Sequence, residues 1–325
     1  MEGDVEGQRP ATRVLMTFRL PESEDIEGAA ARLGEKVRHT PTVVVHGDEL
    51  GIPARVVLKL ELLQHTGSFK ARGALNSVMS LASGTERVTA ASGGNHGAAV
   101  AWAAQRNGLR ADIFVPGTST PTKLDRIREY GAILHLVDGH VGDALDACHA
   151  FGEADAVPVI HPYDTWETVC GAGTLGLEVA EQVPDAELVL LGCGGGGLYS
   201  GVAAALAGQA KVQPVEPELC PHLHKALDAG EPVPHVSGGA AADSLGPPEI
   251  GRFGYETAVA HGMSSVLVTE ESLVAARKFL WQRLRVLAEP GASVAFASLI
   301  SGQVHPRPGS TVVVVVTGGN NPTIP

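Results

Sequence analysis

Short apolar runs of strand length alternate with longer segments of helical period along most of the 325-residue chain. A polar lead-in marked by Pro and Glu covers residues 1–26 and is expected to be loosely held. A helix is expected from Ala29, ending before Thr40-Pro41, because the residue before a proline disfavours the helical region. Val57–Leu60 and Val88–Ala91 read as strands, and a Gly-rich turn over Ser92–His96 leads into an Ala-rich helix, Gly97–Arg106. There follow a strand at Asp112–Val115, a helix at Thr122–Tyr130 stopped by Gly131, a strand at Ile133–Val137, a helix at Gly142–Phe151 and a strand at Pro158–His161. The second half repeats the alternation, with a helix at Thr174–Gln182, a strand at Leu188–Leu191 and a turn, Gly194–Gly197, into a helix at Leu198–Ala207. A strand at Val212–Val215, helices at Ser272–Arg285 and Ser293–Ile300 and a last strand at Thr311–Val316 complete it. Strands that are apolar throughout, separated by helices, predict an α/β fold with mainly parallel sheets covered on both faces.

Composition narrows the function classes. The net charge of -12 and the lack of a basic cluster argue against a nucleic-acid partner. No stretch approaches the roughly 20 apolar residues of a membrane span, and the acidic start Met1–Gly7 lacks the apolar core of a secretory leader. Cys148, Cys170, Cys193 and Cys220 share no ligand spacing, which fits a reducing cytoplasm. The chain ends shortly after the last strand, so no C-terminal regulatory domain is expected.

Four segments carry candidate chemistry, each at a strand–loop or loop–helix junction. Lys70 follows a Thr66-Gly67-Ser68 turn and stands between Phe69 and Ala71. An amine in such surroundings is desolvated, which lowers its basicity and frees it as a nucleophile; an ordinary lysine at a helix start is the alternative. Ser92-Gly93-Gly94-Asn95-His96-Gly97 follows a strand, where free backbone N–H groups suit a carboxylate; a plain strand-to-helix turn also fits. Gly194-Gly195-Gly196-Gly197-Leu198 lets backbone approach a phosphate at a helix start. It lacks both the Lys-Ser/Thr ending of a nucleotide P-loop and the spacing of a dinucleotide fingerprint. Thr317, before Gly318-Gly319-Asn320, ends the last strand where open α/β sheets bind ligands.

Taken together and in this order, the four segments resemble the fold-type-II pyridoxal-phosphate (PLP) enzymes, in the threonine/serine dehydratase and serine racemase branch, from about Arg32 to Asn320. The resemblance implies two domains, each with a mainly parallel sheet flanked by helices and the active site in the cleft between them. Residues 1–74 and 166–325 would form the large PLP-binding domain, and 75–165 the small domain carrying the carboxylate loop. It implies that Lys70 forms a Schiff base with PLP, Phe69 packs beside the cofactor ring, Asn95 bonds its phenolic oxygen and Thr317 meets its pyridine nitrogen. It further implies that the Gly194–Leu198 amides hold the phosphate, that Glu289 lies near the cofactor, and that Ser92, Gly93, Gly94, Asn95 and His96 bind the substrate carboxylate. A homodimer acting on a small amino acid is expected on the same ground.

The implied reaction is loss of the β-hydroxyl of an L-threonine- or L-serine-type amino acid, giving a 2-oxo acid and ammonia, with Lys70 as general base. Serine racemases of this family carry a second serine, the acid/base opposite the lysine, at the position of Gly93. Dehydration needs only Lys70, so it ranks above racemisation or β-replacement; a non-catalytic PLP-binding protein is a third reading. His96 departs from the cysteine-synthase pattern, and Ser244 stands where the family usually has glycine, which affects the substrate pocket. Glu216-Pro217 matches a family loop that binds a divalent cation such as Mg²⁺, with a carbonyl near Cys220, but His222 replaces the second carboxylate and a hard cation prefers oxygen.

Overall fold

The computed structural model of the chain describes residues 18–321 and 323–325. The expected lead-in lies outside the described residues up to residue 17. Helix α1 (Ser23–Leu33) already occupies its end, its start closed by reciprocal bonds between Glu22 and Asp25. Nine strands are described: β1 (Thr42–Val45), β2 (Arg55–Lys59), β3 (Arg87–Ala91), β4 (Arg110–Pro116), β5 (Ile133–Val137), β6 (Ala186–Gly192), β7 (Lys211–Pro217), β8 (Val266–Val268) and β9 (Thr311–Val315). The helices after α1 are α2 (Gly47–Leu50), α3 (Lys70–Met79), α4 (Asn95–Arg106), α5 (Pro121–Arg128), α6 (Val141–Ala154) and α7 (Trp166–Gln182). They continue as α8 (Gly197–Ala205), α9 (His222–Ala229), α10 (Ala242–Leu245), α11 (Arg252–His261), α12 (Glu270–Leu284) and α13 (Pro290–Ile300).

A six-stranded sheet runs β1-β2-β9-β6-β7-β8, and a three-stranded sheet runs β3-β4-β5. All neighbours are parallel except the edge strand β1, which pairs antiparallel with β2. Strand β9 is buried along its whole length and shows why the apolar runs are continuous. Val312 and Val314 pack with α12 and α13 on one face, while Val313 and Val315 pack with α7 and α8 on the other. Helices α7 and α8 approach so closely that a Cβ on Gly201 would lie 2.3 Å from the Val169 carbonyl oxygen. Helices α3, α4 and α5 cover one face of the small sheet, and α6 covers the other through Ala144 and Cys148 against Phe114.

Two expectations need correction. Pro158–His161 is no strand; a single bridge joins Val159 to Thr89, because the proline and the following turn end the ladder after one pair. Helix α7 begins at Trp166, well before Thr174, since its buried Gly and Ala residues lack an amphipathic signature but pack against α8. Helix α3 is continuous from Lys70 to Met79.

A buried charge cluster anchors α3. Arg72, on its first turn, donates from Nε and Nη2 to both oxygens of Glu61 (2.8 and 2.7 Å) and pairs with Glu178 of α7 at 2.7 Å. Lys59 at the end of β2 donates to Glu178, to the Thr40 carbonyl at 2.8 Å and to Gln182 at 2.9 Å. Burial disfavours the Arg72 charge, but Glu61 and Glu178 outweigh it and hold the guanidinium above its usual pKa. The cluster ties α3, and so the residue at its first position, to β2 and α7. Replacing Arg72 with Ala leaves Glu61 buried without its cation and Glu178 with Lys59 alone, so urea unfolding should show a loss of about 3–5 kcal/mol; a loss under about 1 kcal/mol would mean the cluster does not anchor the helix.

Candidate active site

The carboxyl ends of β9, β6 and β3 face a single cleft of about 270 Å³, the place where open parallel sheets receive ligands. Of the residues named from the sequence, Phe69, Lys70, Ser92 to His96, Gly194 to Leu198, Ser244, Glu289 and Thr317 all line it. Glu216 does not. Its oxygens accept the N–H groups of Leu223 (2.7 Å) and His224 (3.0 Å) at the start of α9. Among the described residues no group of three or more His, Cys, Asp or Glu is placed to hold a metal ion, and Glu216 caps the start of α9.

Lys70 is half-buried at the first position of α3, and its Nζ donates to the Pro162 carbonyl at 2.6 Å. Desolvation lowers its pKa to about 8, against a smaller opposing pull from Glu289. The segment before it is clamped to the strand end: Phe69 N–H bonds Thr317 O, and Gly319 N–H bonds Gly67 O, each at 3.0 Å.

Two helix starts open on the cleft. Gly196 takes φ +82°, and no side chain caps α8, so its first N–H groups remain free for an anion. The loop is closed on one side by Tyr163, whose ring a Cβ on Gly195 would meet at 2.2 Å. Helix α4 likewise has no side-chain cap, and its first internal bond is from Ala98 to Gly94 O at 3.2 Å. His96 donates Nε2–H to Ile160 O at 2.8 Å; burial, helped by the Lys70 charge, lowers its pKa to about 3 and keeps it neutral. His161 accepts the N–H of Asp164 at Nδ1 (2.9 Å), and burial lowers its pKa to about 4, so it too is neutral.

Asn95 is fixed from three sides. Its Nδ2 donates to Glu289 at 2.8 Å, while its Oδ1 accepts from Asn320 (2.7 Å) and Arg126 (3.2 Å). One amide proton is left to point elsewhere. Burial raises the Glu289 pKa despite the bond from Asn95. Lys123 of α5 and Asp243 of α10 also pair across the cleft lining. Sequence reasoning missed His161, Pro162, Tyr163 and Lys123, which belong to no motif and reach the cleft lining only through the fold, and Arg126, which touches the site through Asn95; Asp243 adjoins Ser244 in sequence, but its pairing with Lys123 has no sequence signal.

An amine of lowered basicity, two uncapped helix starts and the strand-end residue Thr317 on one cleft define an α/β enzyme whose donor set fits a phosphorylated aldehyde cofactor. The chain belongs to the pyridoxal-phosphate dependent enzyme family, whose model matches residues 34–318, and it uses PLP as that family does. It is 36% identical over 312 residues to a phenylserine dehydratase of Ralstonia pickettii, covering 94% of this chain and 95% of that one. It is 34% identical to an L-threonine ammonia-lyase of Geobacter sulfurreducens, covering 91% and 74%. Among solved structures it is similar to maize serine racemase (TM-score 0.87, 27% identity, 93% and 94% covered). It is also similar to the processed form of threonine deaminase isoform 2 from Solanum lycopersicum (TM-score 0.84, 26% identity, 93% and 91% covered).

The desolvated amine has a direct signature. In cofactor-free protein, labelling of Lys70 by an amine-selective acylating reagent should be half-maximal near pH 8, against about 10.4 for a solvated lysine. The neutral, reactive form rises as pH passes upward through that value. A surface-lysine profile at Lys70, read by peptide mapping, would contradict the desolvation.

Proposed function

We propose that the chain is a PLP-dependent dehydratase, an ammonia-lyase that removes the β-hydroxyl of L-threonine- or L-serine-type amino acids to give a 2-oxo acid and ammonia. The observation that carries this reading is the Lys70 amine, lowered to about 8, on the cleft wall with the two uncapped helix starts. Bound PLP supplies the electron sink for the charge left at Cα. Lys70 holds the cofactor and, once released, takes the Cα proton as a general base. The amides of Gly194 to Leu198 hold the phosphate at the start of α8, and Phe69 packs beside the ring. Asn95 turns its free amide proton to the phenolic oxygen, with its orientation set by Glu289, Asn320 and Arg126. Thr317 offers the ring nitrogen a neutral hydroxyl. The loop Ser92 to His96 takes the substrate carboxylate, with Ser244 beside the substrate.

Position 93 has no side chain, so the face that a racemase would serve with a second proton carrier has none on this loop. Val141, Ala144, Leu145 and Pro116 line the same cleft, which favours, as a second reading, an apolar or aryl β-substituent like that named for the Ralstonia relative. We assign the substrate-carboxylate loop to a small domain built on β3-β4-β5, residues 75–165, and the cofactor to 1–74 with 166–325. Four buried, unpaired cysteines support a reducing cytoplasm. No described helix is long and apolar enough to cross a membrane. A homodimer is inferred from the family.

A panel of L-threonine, L-serine and L-threo-phenylserine, scored for ammonia and 2-oxo acid, tests the reading. Lys70→Ala should lose on the order of 10²–10⁴-fold in turnover together with the visible cofactor band. Absence of 2-oxo acid from every member would overturn the proposal, and recovery of D-serine faster than 2-oxo acid would favour a racemase.

A further inference from the structure

The empty position on the carboxylate loop is filled by another segment. A Cβ built on Gly93 would lie 2.6 Å from the hydroxyl oxygen of Ser119. Ser119 belongs to the turn between β4 and α5, which the fold lays beside the loop that follows β3. It is half-buried and lines the same cleft as Lys70 and Ser92. Its backbone N–H is taken by Pro116 O at 2.9 Å. Its hydroxyl has no protein partner among the described residues, and it caps nothing, since the N-cap of α5 is Thr120 and no side chain closes that end.

The groups around it are donors awaiting an acceptor. Ser92 Oγ accepts the Gly94 N–H at 3.2 Å, which leaves the Ser92 proton free. The N–H groups of Asn95, His96 and Gly97 open α4 without intrahelical partners. The Gly93 N–H has no backbone partner among the described residues. Ser119 adds a second hydroxyl to this set from the side that a residue at 93 would otherwise occupy. We propose that Ser119 is a substrate-binding residue, its O–H donated to the carboxylate of the bound amino acid, and that Gly93 is glycine because this hydroxyl needs the space. Ser119 acts in this proposal as a hydrogen-bond donor: no side chain among the described residues bonds its hydroxyl, and the cation one turn on, Lys123, is engaged by Asp243.

The inference rests on the proposed function, and its test separates the two. Glycine, which has no β-hydroxyl to lose, is titrated into the PLP-loaded enzyme and its Kd read from the visible band. Ser119→Ala should raise that Kd by roughly ten- to hundredfold, as expected for a lost hydrogen bond to a charged group. PLP affinity and Tm should stay at parent values, and Thr118→Ala on the same turn should bind glycine like the parent. Gly93→Ser alone should bind more weakly still, because its Cβ meets the Ser119 hydroxyl. The double variant Gly93→Ser with Ser119→Ala carries a hydroxyl back to the same spot and should recover most of the loss. A Ser119→Ala enzyme that binds glycine as the parent does, or a double variant no better than Gly93→Ser, would overturn the inference while leaving a parent enzyme that still makes 2-oxo acid. A parent that makes none would instead sink the dehydratase reading.

Discussion

Everything in the cleft is referenced to one backbone junction, where the segment before Lys70 is stitched to the end of β9. Phe69 bonds Thr317, Gly319 bonds Gly67, Leu62 bonds Val316, and Glu289 bonds Gly318, all through main-chain groups at 3.0 Å. Because β9 is the fully buried third strand of the large sheet, the amine inherits the rigidity of the core. Buried backbone groups of this kind are costly to leave unpaired. A shift of the lysine loop would therefore break several bonds together, and the amine is held where its solvation, and hence its basicity, is low.

The same junction explains why Asn95 can sit on one sheet's helix and report to the other. Asn95 begins α4 over the small sheet, whereas Glu289 and Asn320 flank the large one. Its amide bridges the two sheets, and Arg126 from α5 supplies a charge facing Glu289. A carboxylate as buried as Glu289 resists ionisation unless donors surround it. The bonds from Asn95 and the Asn320 backbone, with the field of Arg126, offset part of that resistance. The pairing across the cleft lining by Lys123 and Asp243 adds a second link between α5 and α10. The pair that spans the cleft lining and the bond that orients Asn95 thus share α5.

What the sequence made legible was local. Continuous apolar runs marked β2, β3, β4, β6, β7 and β9, because a strand buried on both faces needs no alternation, and the glycine turns marked the two uncapped helix starts. Elements with weak patterns were missed: β1 exposes Val43 and Val44 at the sheet edge, α10 is four residues long, and β8 is three. Lys70, Asn95 and Thr317, each named from a motif, come together on the lining of one cleft. The lining was not read where a residue works by filling space left by another. Tyr163 is defined by the missing Cβ of Gly195, and Ser119 by that of Gly93, and neither relation has a fixed spacing in sequence.

These spatial substitutions bear on the choice between elimination and inversion. Inversion at Cα needs a group on each face able both to give and to take a proton, and the position at which the racemases this chain resembles carry their second serine is Gly93 here. Lys70, with its pKa lowered to about 8, is suited to taking the Cα proton. His96 and His161, both neutral and with one nitrogen each engaged by backbone, are poor acids at the pH where Lys70 is active. Thr317, a neutral residue, contributes no charge that would keep the ring nitrogen protonated. With PLP bound and Thr317 at its ring nitrogen, the charge left at Cα would be held less firmly, and loss of a β-hydroxyl would be the outlet that requires no second proton carrier at Cα. One tuned amine, with no side chain at Gly93 to serve as a second proton carrier, is what tilts this cleft toward a lyase.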